Sequence, residues 1–90
     1  MGRVFFFTSP SCGPCKNVKP VISELQEDYP NLTWSFVDTT NDKENYGNIF
    51  KVTHVPTMVA VNDRNEEVGR HSGTSMMGYY SLIKKLRQGS

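Results

Sequence analysis

The stretch Arg3-Val4-Phe5-Phe6-Phe7-Thr8-Ser9-Pro10-Ser11-Cys12-Gly13-Pro14-Cys15 decides how this chain folds. Val4-Phe5-Phe6-Phe7 is an aromatic and β-branched run that reads as a buried strand over Arg3–Thr8. Ser9-Pro10-Ser11 stops it, and a helix starts around Gly13–Cys15. Pro14 suits the first turn of that helix, because the amide that proline lacks would have no intrahelical partner there. Apolar residues then recur at helical spacing through Val18, Val21, Ile22, Leu25 and Tyr29. Pro20 falls inside the pattern and predicts a kink in one continuous helix, which Tyr29-Pro30-Asn31 ends.

Further along, Leu32–Asp38 alternates as a second strand, with Leu32, Trp34 and Phe36 on one face. Thr39–Asp42 carries turn and N-cap chemistry. A short helix follows to about Lys51, supported by Tyr46, Ile49 and Phe50 and weakened by Gly47. Thr57–Asn62 reads as a third strand, Asn62–Asn65 as a hairpin turn and Glu66–His71 as a fourth strand. Gly73-Thr74-Ser75 opens a last helix whose buried stripe is Tyr79, Leu82, Ile83 and Leu86. The order β-α-β-α-β-β-α makes the first two strands parallel with a right-handed crossover and the last two an antiparallel hairpin. The expected class is α/β, with one mixed four-stranded sheet and three helices spread over both its faces.

Ninety residues, 37% hydrophobic and 21% charged, suit one globular domain over 1–90. A net charge of +1 offers no electrostatic footprint for nucleic acid or an anionic membrane. Lys84-Lys85-Leu86-Arg87 reads as the solvated end of the last helix, where cations suit the dipole. Val4–Phe7 is too short for a signal-peptide core or a membrane span, and Phe6 breaks the myristoylation pattern behind Gly2. The expected setting is the cytosol, and the expected state a monomer. In that reducing compartment a closely spaced cysteine pair points to redox or metal chemistry more than to a structural cross-link.

Cys12 and Cys15 lie three residues apart at a helix start, so about one turn separates them and their sulfurs can close a small disulfide. Cys12 sits where unpaired amides and the dipole favour an anion, which lowers the thiol pKa and makes it the nucleophile. Cys15 lies one turn in, facing the protein, and serves as the resolving thiol. Three blander readings compete. A structural disulfide would close too short a loop to stabilise much. Half of a zinc site would need two further ligands, with only His54 and His71 besides carboxylates on offer. The third is a pair of inert cysteines.

Cys12-Gly13-Pro14-Cys15-Lys16, Pro20, Val55-Pro56-Thr57, Gly73 and Gly78, in this order and spacing, resemble the thioredoxin family over nearly the whole chain. The resemblance implies a thioredoxin-like fold and a redox disulfide between Cys12 and Cys15. It also implies a cis peptide bond before Pro56, facing the cysteines, that holds the Val55 backbone open to an extended substrate. Gly13, Pro14, Val55 and Gly73 would then form a flat apolar rim for varied protein disulfides. The layout is minimal and close to glutaredoxins, since Cys12 comes early in the chain.

The sequence also departs from the family. Ser11 stands where a tryptophan usually precedes the first cysteine, and Phe6 replaces the buried aspartate that assists deprotonation of the second thiol. The lysine often paired with that aspartate falls near Phe36 or Val37. Cys15 is therefore expected to lose its proton to solvent, to substrate or to Asp38. His54 stands two residues before Pro56 and is a candidate to approach the thiols, with an exposed loop position as the bland reading. His71 and Trp34 read as structural. Met76 and Met77 are expected to pack in the core or along the rim, and Tyr79 and Tyr80 to point one inward and one outward.

The implied function is protein-disulfide reduction without a bound cofactor or metal. Recharging would come from a flavin- and NADPH-dependent thioredoxin reductase. A glutathione-dependent glutaredoxin is the nearest rival, although Gly13-Pro14 contains no tyrosine and His71-Ser72-Gly73-Thr74 lacks the glutathione-gripping Gly-Gly. A non-catalytic binding subunit on the same fold is the rival of another class.

Overall fold

The computed structural model describes residues 2–89. Its elements are β1 (Arg3–Thr8), α1 (Gly13–Asp28), β2 (Thr33–Asp38), α2 (Tyr46–Ile49), β3 (Thr57–Val61), β4 (Glu67–Ser72) and α3 (Met76–Gly89). The strands lie in the order β2-β1-β3-β4. β1 runs parallel to β2 and antiparallel to β3, and β3 is antiparallel to β4. This is the expected mixed sheet with three helices.

Alternation along the central strands builds two apolar layers. Val4, Phe6, Met58 and Ala60 face α1 and α3, where Val18, Val21, Ile22, Leu25, Tyr79, Leu82, Ile83 and Leu86 complete the larger core. Phe5, Phe7, Val37, Val59 and Val61 face the other way, toward Tyr46, Phe50, Val52 and Val55. The short α2 covers little of this second layer. Arg3 helps by laying its guanidinium 4.5 Å over the Phe5 ring while donating to Ser35 Oγ at 3.1 and 3.2 Å.

Several expected boundaries move. α2 is one turn, not a helix reaching Lys51. Asn45 (φ 61°) and Lys51 (φ 54°) adopt left-handed backbone on either side of it, so neither can extend it. The Asp42 carboxylate accepts the Tyr46 and Gly47 amides at 3.0 and 2.7 Å, which satisfies the start of that turn. Leu32 belongs to the turn before β2, where its amide donates to the Tyr29 carbonyl at 3.2 Å. The strands stop at Val61 and resume at Glu67, a wider turn than expected, closed by the Asn62 amide on the Glu66 carbonyl and by the Asn62 side chain accepting from the Arg64 and Glu66 amides. α3 starts at Met76, since Gly73 at φ +100° is not helical. Pro20 lies within α1 without dividing it.

Leu32, Trp34 and Phe36 do share a face, but Phe36 is 57% exposed. β2 is a sheet edge, and Phe36 meets Phe6 ring edge to face at 6.4 Å. It rims an open groove of about 360 Å³ shared with Phe6, Thr8, Lys19, Ile22 and Ser23.

Gly78 has a plain steric reason. A Cβ there would come within 2.1 to 2.4 Å of the His71 ring, which packs edge-on against Tyr79 at 4.5 Å. Gly78→Ala must therefore displace His71 from Tyr79 and from the Ser75 carbonyl 3.1 Å from its Nε2. We expect a loss of about 1–3 kcal/mol in urea unfolding. A variant as stable as the parent would refute this account of the glycine.

Candidate active site

The site forms at the end of the sheet where β1 runs out. Phe7 pairs with Thr57 and Thr57 with Ser72. The Ser9–Cys12 turn, Pro56 and Gly73 each lie just beyond these paired residues, so the topology gathers three distant segments at one edge.

Cys12 is the N-cap of α1, with extended backbone (φ −84°, ψ 101°) and Pro14 in the first turn. Its amide donates to the Ser9 carbonyl at 3.1 Å, closing the turn that lifts the sulfur to the helix end. Its Sγ accepts the Cys15 amide at 3.1 Å. That sulfur occupies the place a serine or aspartate oxygen takes in ordinary caps, and a backbone donor there favours thiolate over thiol. No acidic residue in the first turn opposes this field. Cys12 and Cys15 are joined as a disulfide, their Cα atoms 5.3 Å apart. Cys12 is 9% exposed and Cys15 2%, while Gly13 and Pro14 are exposed, so an incoming group meets Cys12 first.

At the same end of the sheet the Val55–Pro56 peptide bond is cis. Val55 is half-buried and Pro56 buried. The Pro56 carbonyl accepts the Gly73 amide at 3.1 Å. Buried Thr57 braces the same loop, its Oγ1 donating to the His54 carbonyl at 2.7 Å and lying 2.8 Å from Ser72 Oγ. Gly73 holds φ +100°, which a side chain would strain.

Other candidates fall elsewhere. The Asp38 carboxylate accepts the Thr40 hydroxyl at 2.6 Å and the Thr40 amide at 2.9 Å. Those bonds, the hydroxyl's first, hold its pKa below the usual carboxylate range. It caps a strand end through Oδ1, with Thr40 as its partner. His54 is exposed and rims a hollow of about 230 Å³ with Thr39, Val52, Thr53 and Val55. His71 is engaged with Tyr79 and Ser75. Trp34 is half-buried and donates from Nε1 to the Tyr29 carbonyl at 3.2 Å. Met76 and Met77 are 58% and 72% exposed, so of the two expected placements, core or rim, they take the rim. Both open α3 a few residues beyond Gly73.

Sequence alone places Tyr79 in the buried stripe but gives its hydroxyl no role. Its ring is fully buried and its hydroxyl donates to the Gly73 carbonyl. Desolvation pushes its pKa up to about 12, so it remains a donor across the physiological range. The one available signal was a tyrosine in the apolar stripe of a helix, where phenylalanine or leucine would fill the core alone.

A βαβ unit followed by a β-hairpin and helix, with a Cys-x-x-Cys cap and a cis-proline loop at the same end of the sheet, defines a dithiol–disulfide domain. The family model described as Thioredoxin matches residues 3–87, and the chain belongs to the thioredoxin family. It is 30% identical over 80 residues to the thioredoxin of Pongo abelii, covering 89% of this chain and 74% of that protein. It is 41% identical over 58 residues to mitochondrial thioredoxin O1 of Arabidopsis thaliana, covering 61% of this chain. The chain spans only 29% of that relative and 32% of a chloroplastic M-type thioredoxin of Zea mays. Among solved structures, Fasciola hepatica thioredoxin superposes with a TM-score of 0.85 at 30% identity, over 93% of this chain and 79% of that one. Oxidised mitochondrial thioredoxin 3 of Saccharomyces cerevisiae gives 0.84 at 27% identity, over 94% and 78%.

Proposed function

We propose that the protein is a thiol–disulfide oxidoreductase that reduces protein disulfides and works as a single domain over its 90 residues. The observation that carries this is Cys12 as the sulfur cap of α1, more open than Cys15 and at the same sheet edge as the Val55–Pro56 loop. The Cys12 thiolate attacks one sulfur of the substrate disulfide. A Cys12–substrate bond forms, and the other substrate sulfur leaves as a thiolate that takes a proton. Cys15 then gives up its proton and attacks Cys12 Sγ. This forms the Cys12–Cys15 disulfide and releases the second substrate thiol. Two electrons pass to the substrate and two cysteine thiols become one disulfide.

With Asp38 engaged by Thr40 and Phe6 apolar, the departing substrate thiolate or solvent takes the Cys15 proton. An extended substrate adds its backbone beside Val55, against Gly13, Pro14 and Gly73, with Met76 and Met77 widening the apolar rim. The oxidised protein is recharged by a flavin- and NADPH-dependent thioredoxin reductase. The proposed setting is the cytosol, whose reducing pool suits such a cycle. Among the described residues no helix is long and apolar enough to cross a membrane.

Insulin turbidity assays test the proposal. Activity is expected with NADPH and a thioredoxin reductase. Turnover with glutathione and its reductase alone would make the protein a glutaredoxin, and activity with neither would make it a binding module.

A further inference from the structure

We infer that Tyr79 is a positioning residue for substrate, its hydroxyl holding the Gly73–Pro56 loop in the shape that receives an extended disulfide segment. The inference rests on the reductase reading above and names a group in α3 that the chemistry itself does not use.

Tyr79 lies wholly inside the larger core, edge to face with Phe6 at 6.2 Å and with His71 at 4.5 Å. A phenylalanine would fill the same space. Burying a hydroxyl without a partner costs about 1–3 kcal/mol, so the oxygen is tolerated here because of the bond it makes. That bond goes to the Gly73 carbonyl, outside the helix. Gly73 is thereby held at both ends, its amide by the Pro56 carbonyl at 3.1 Å and its carbonyl by Tyr79.

Glycine is the residue least able to hold one backbone shape by itself, and Gly73 sits at φ +100° with open space around its Cα. An outside anchor must therefore choose the conformation. Thr57 and Ser72 brace the strand side of the loop. Tyr79 is the core side chain that braces the far side. Losing its bond frees Gly73, and through it the Pro56 carbonyl, without touching either sulfur. The substrate must then order the loop on binding, which weakens binding more than turnover of the bound complex.

Tyr79→Phe tests this, with Tyr80→Phe on the half-buried side of α3 as the control. KM for insulin is expected to rise about fivefold in Tyr79→Phe, the worth of one net hydrogen bond, while kcat stays within about twofold. Amide exchange at Gly73 should accelerate relative to the α3 amides, and Tyr80→Phe should change neither quantity. An unchanged KM in Tyr79→Phe, or a KM that moves equally in both variants, overturns the role. So does a fall in kcat alone that tracks a lower Tm, because that pattern marks a purely structural tyrosine. A parent protein that reduces no disulfide overturns the reductase reading instead. In that case the exchange rate at Gly73 still reports whether Tyr79 holds the loop.

Discussion

Cys12→Ser reduces insulin reduction to the uncatalysed background, a loss of at least about a thousandfold, while the fold persists. A serine oxygen can cap α1 by accepting the Cys15 amide in place of Sγ, so the helix start is preserved. The hydroxyl is not ionised near neutral pH and cannot attack a disulfide, so no mixed disulfide forms. Cys15 does not substitute, because at 2% exposure it does not meet a protein substrate. Cys15→Ser behaves differently. Its Cys12 still attacks once, and the complex then persists because no thiol resolves it. Mass spectrometry of the reaction with insulin should show a stable one-to-one adduct in Cys15→Ser and none in Cys12→Ser. Adducts in the reverse pattern would exchange the two roles. Steady turnover by Cys12→Ser would sink the dithiol mechanism altogether.

Restoring the family's carboxylate by Phe6→Asp is expected to cost at least about 4 kcal/mol at pH 7, most of the stability of a domain this size. Phe6 is 2% exposed and packs edge to face with both Phe36 and Tyr79. Removing such a ring costs about 3–5 kcal/mol, and a desolvated carboxylate adds to that. Lys19 lines the same groove but is exposed, so its attraction for the new charge is screened by water. Burial raises the folded-state pKa of the introduced acid above its unfolded value. The folded form then binds more protons, and the deficit must shrink as pH falls from 7 toward 5. Urea unfolding at the two pH values reads both effects. A variant as stable as the parent, or a deficit independent of pH, would falsify the view that Phe6 has become a core residue in place of a proton acceptor.

The apolar residue at Phe6, where the resemblance implies an aspartate, was legible before any coordinates. The same holds for the Cys12–Cys15 pair, whose chemistry follows from a three-residue spacing at a helix start. The stripes of α1 and α3 were legible too. Each of these features is local, set by periods of two or 3.6 residues and by cap chemistry within a turn.

What the sequence alone left open depends on contacts between segments far apart in the chain. Asp38 is a candidate base by sequence alone, and the fold engages its Oδ1 with Thr40, a matter of loop geometry. Phe36 followed the strand alternation, yet stands exposed because β2 is an edge with little above it. Met76 and Met77 could pack in the core or on the rim by sequence alone, and the fold leaves both exposed at the start of α3. The sequence by itself determined the strand–cysteine–helix unit and the sulfur that acts first. Only the tertiary structure decided how the receiving loop is held, since the Tyr79–Gly73–Pro56 link joins a helix to a cis-proline loop whose meeting no local pattern encodes.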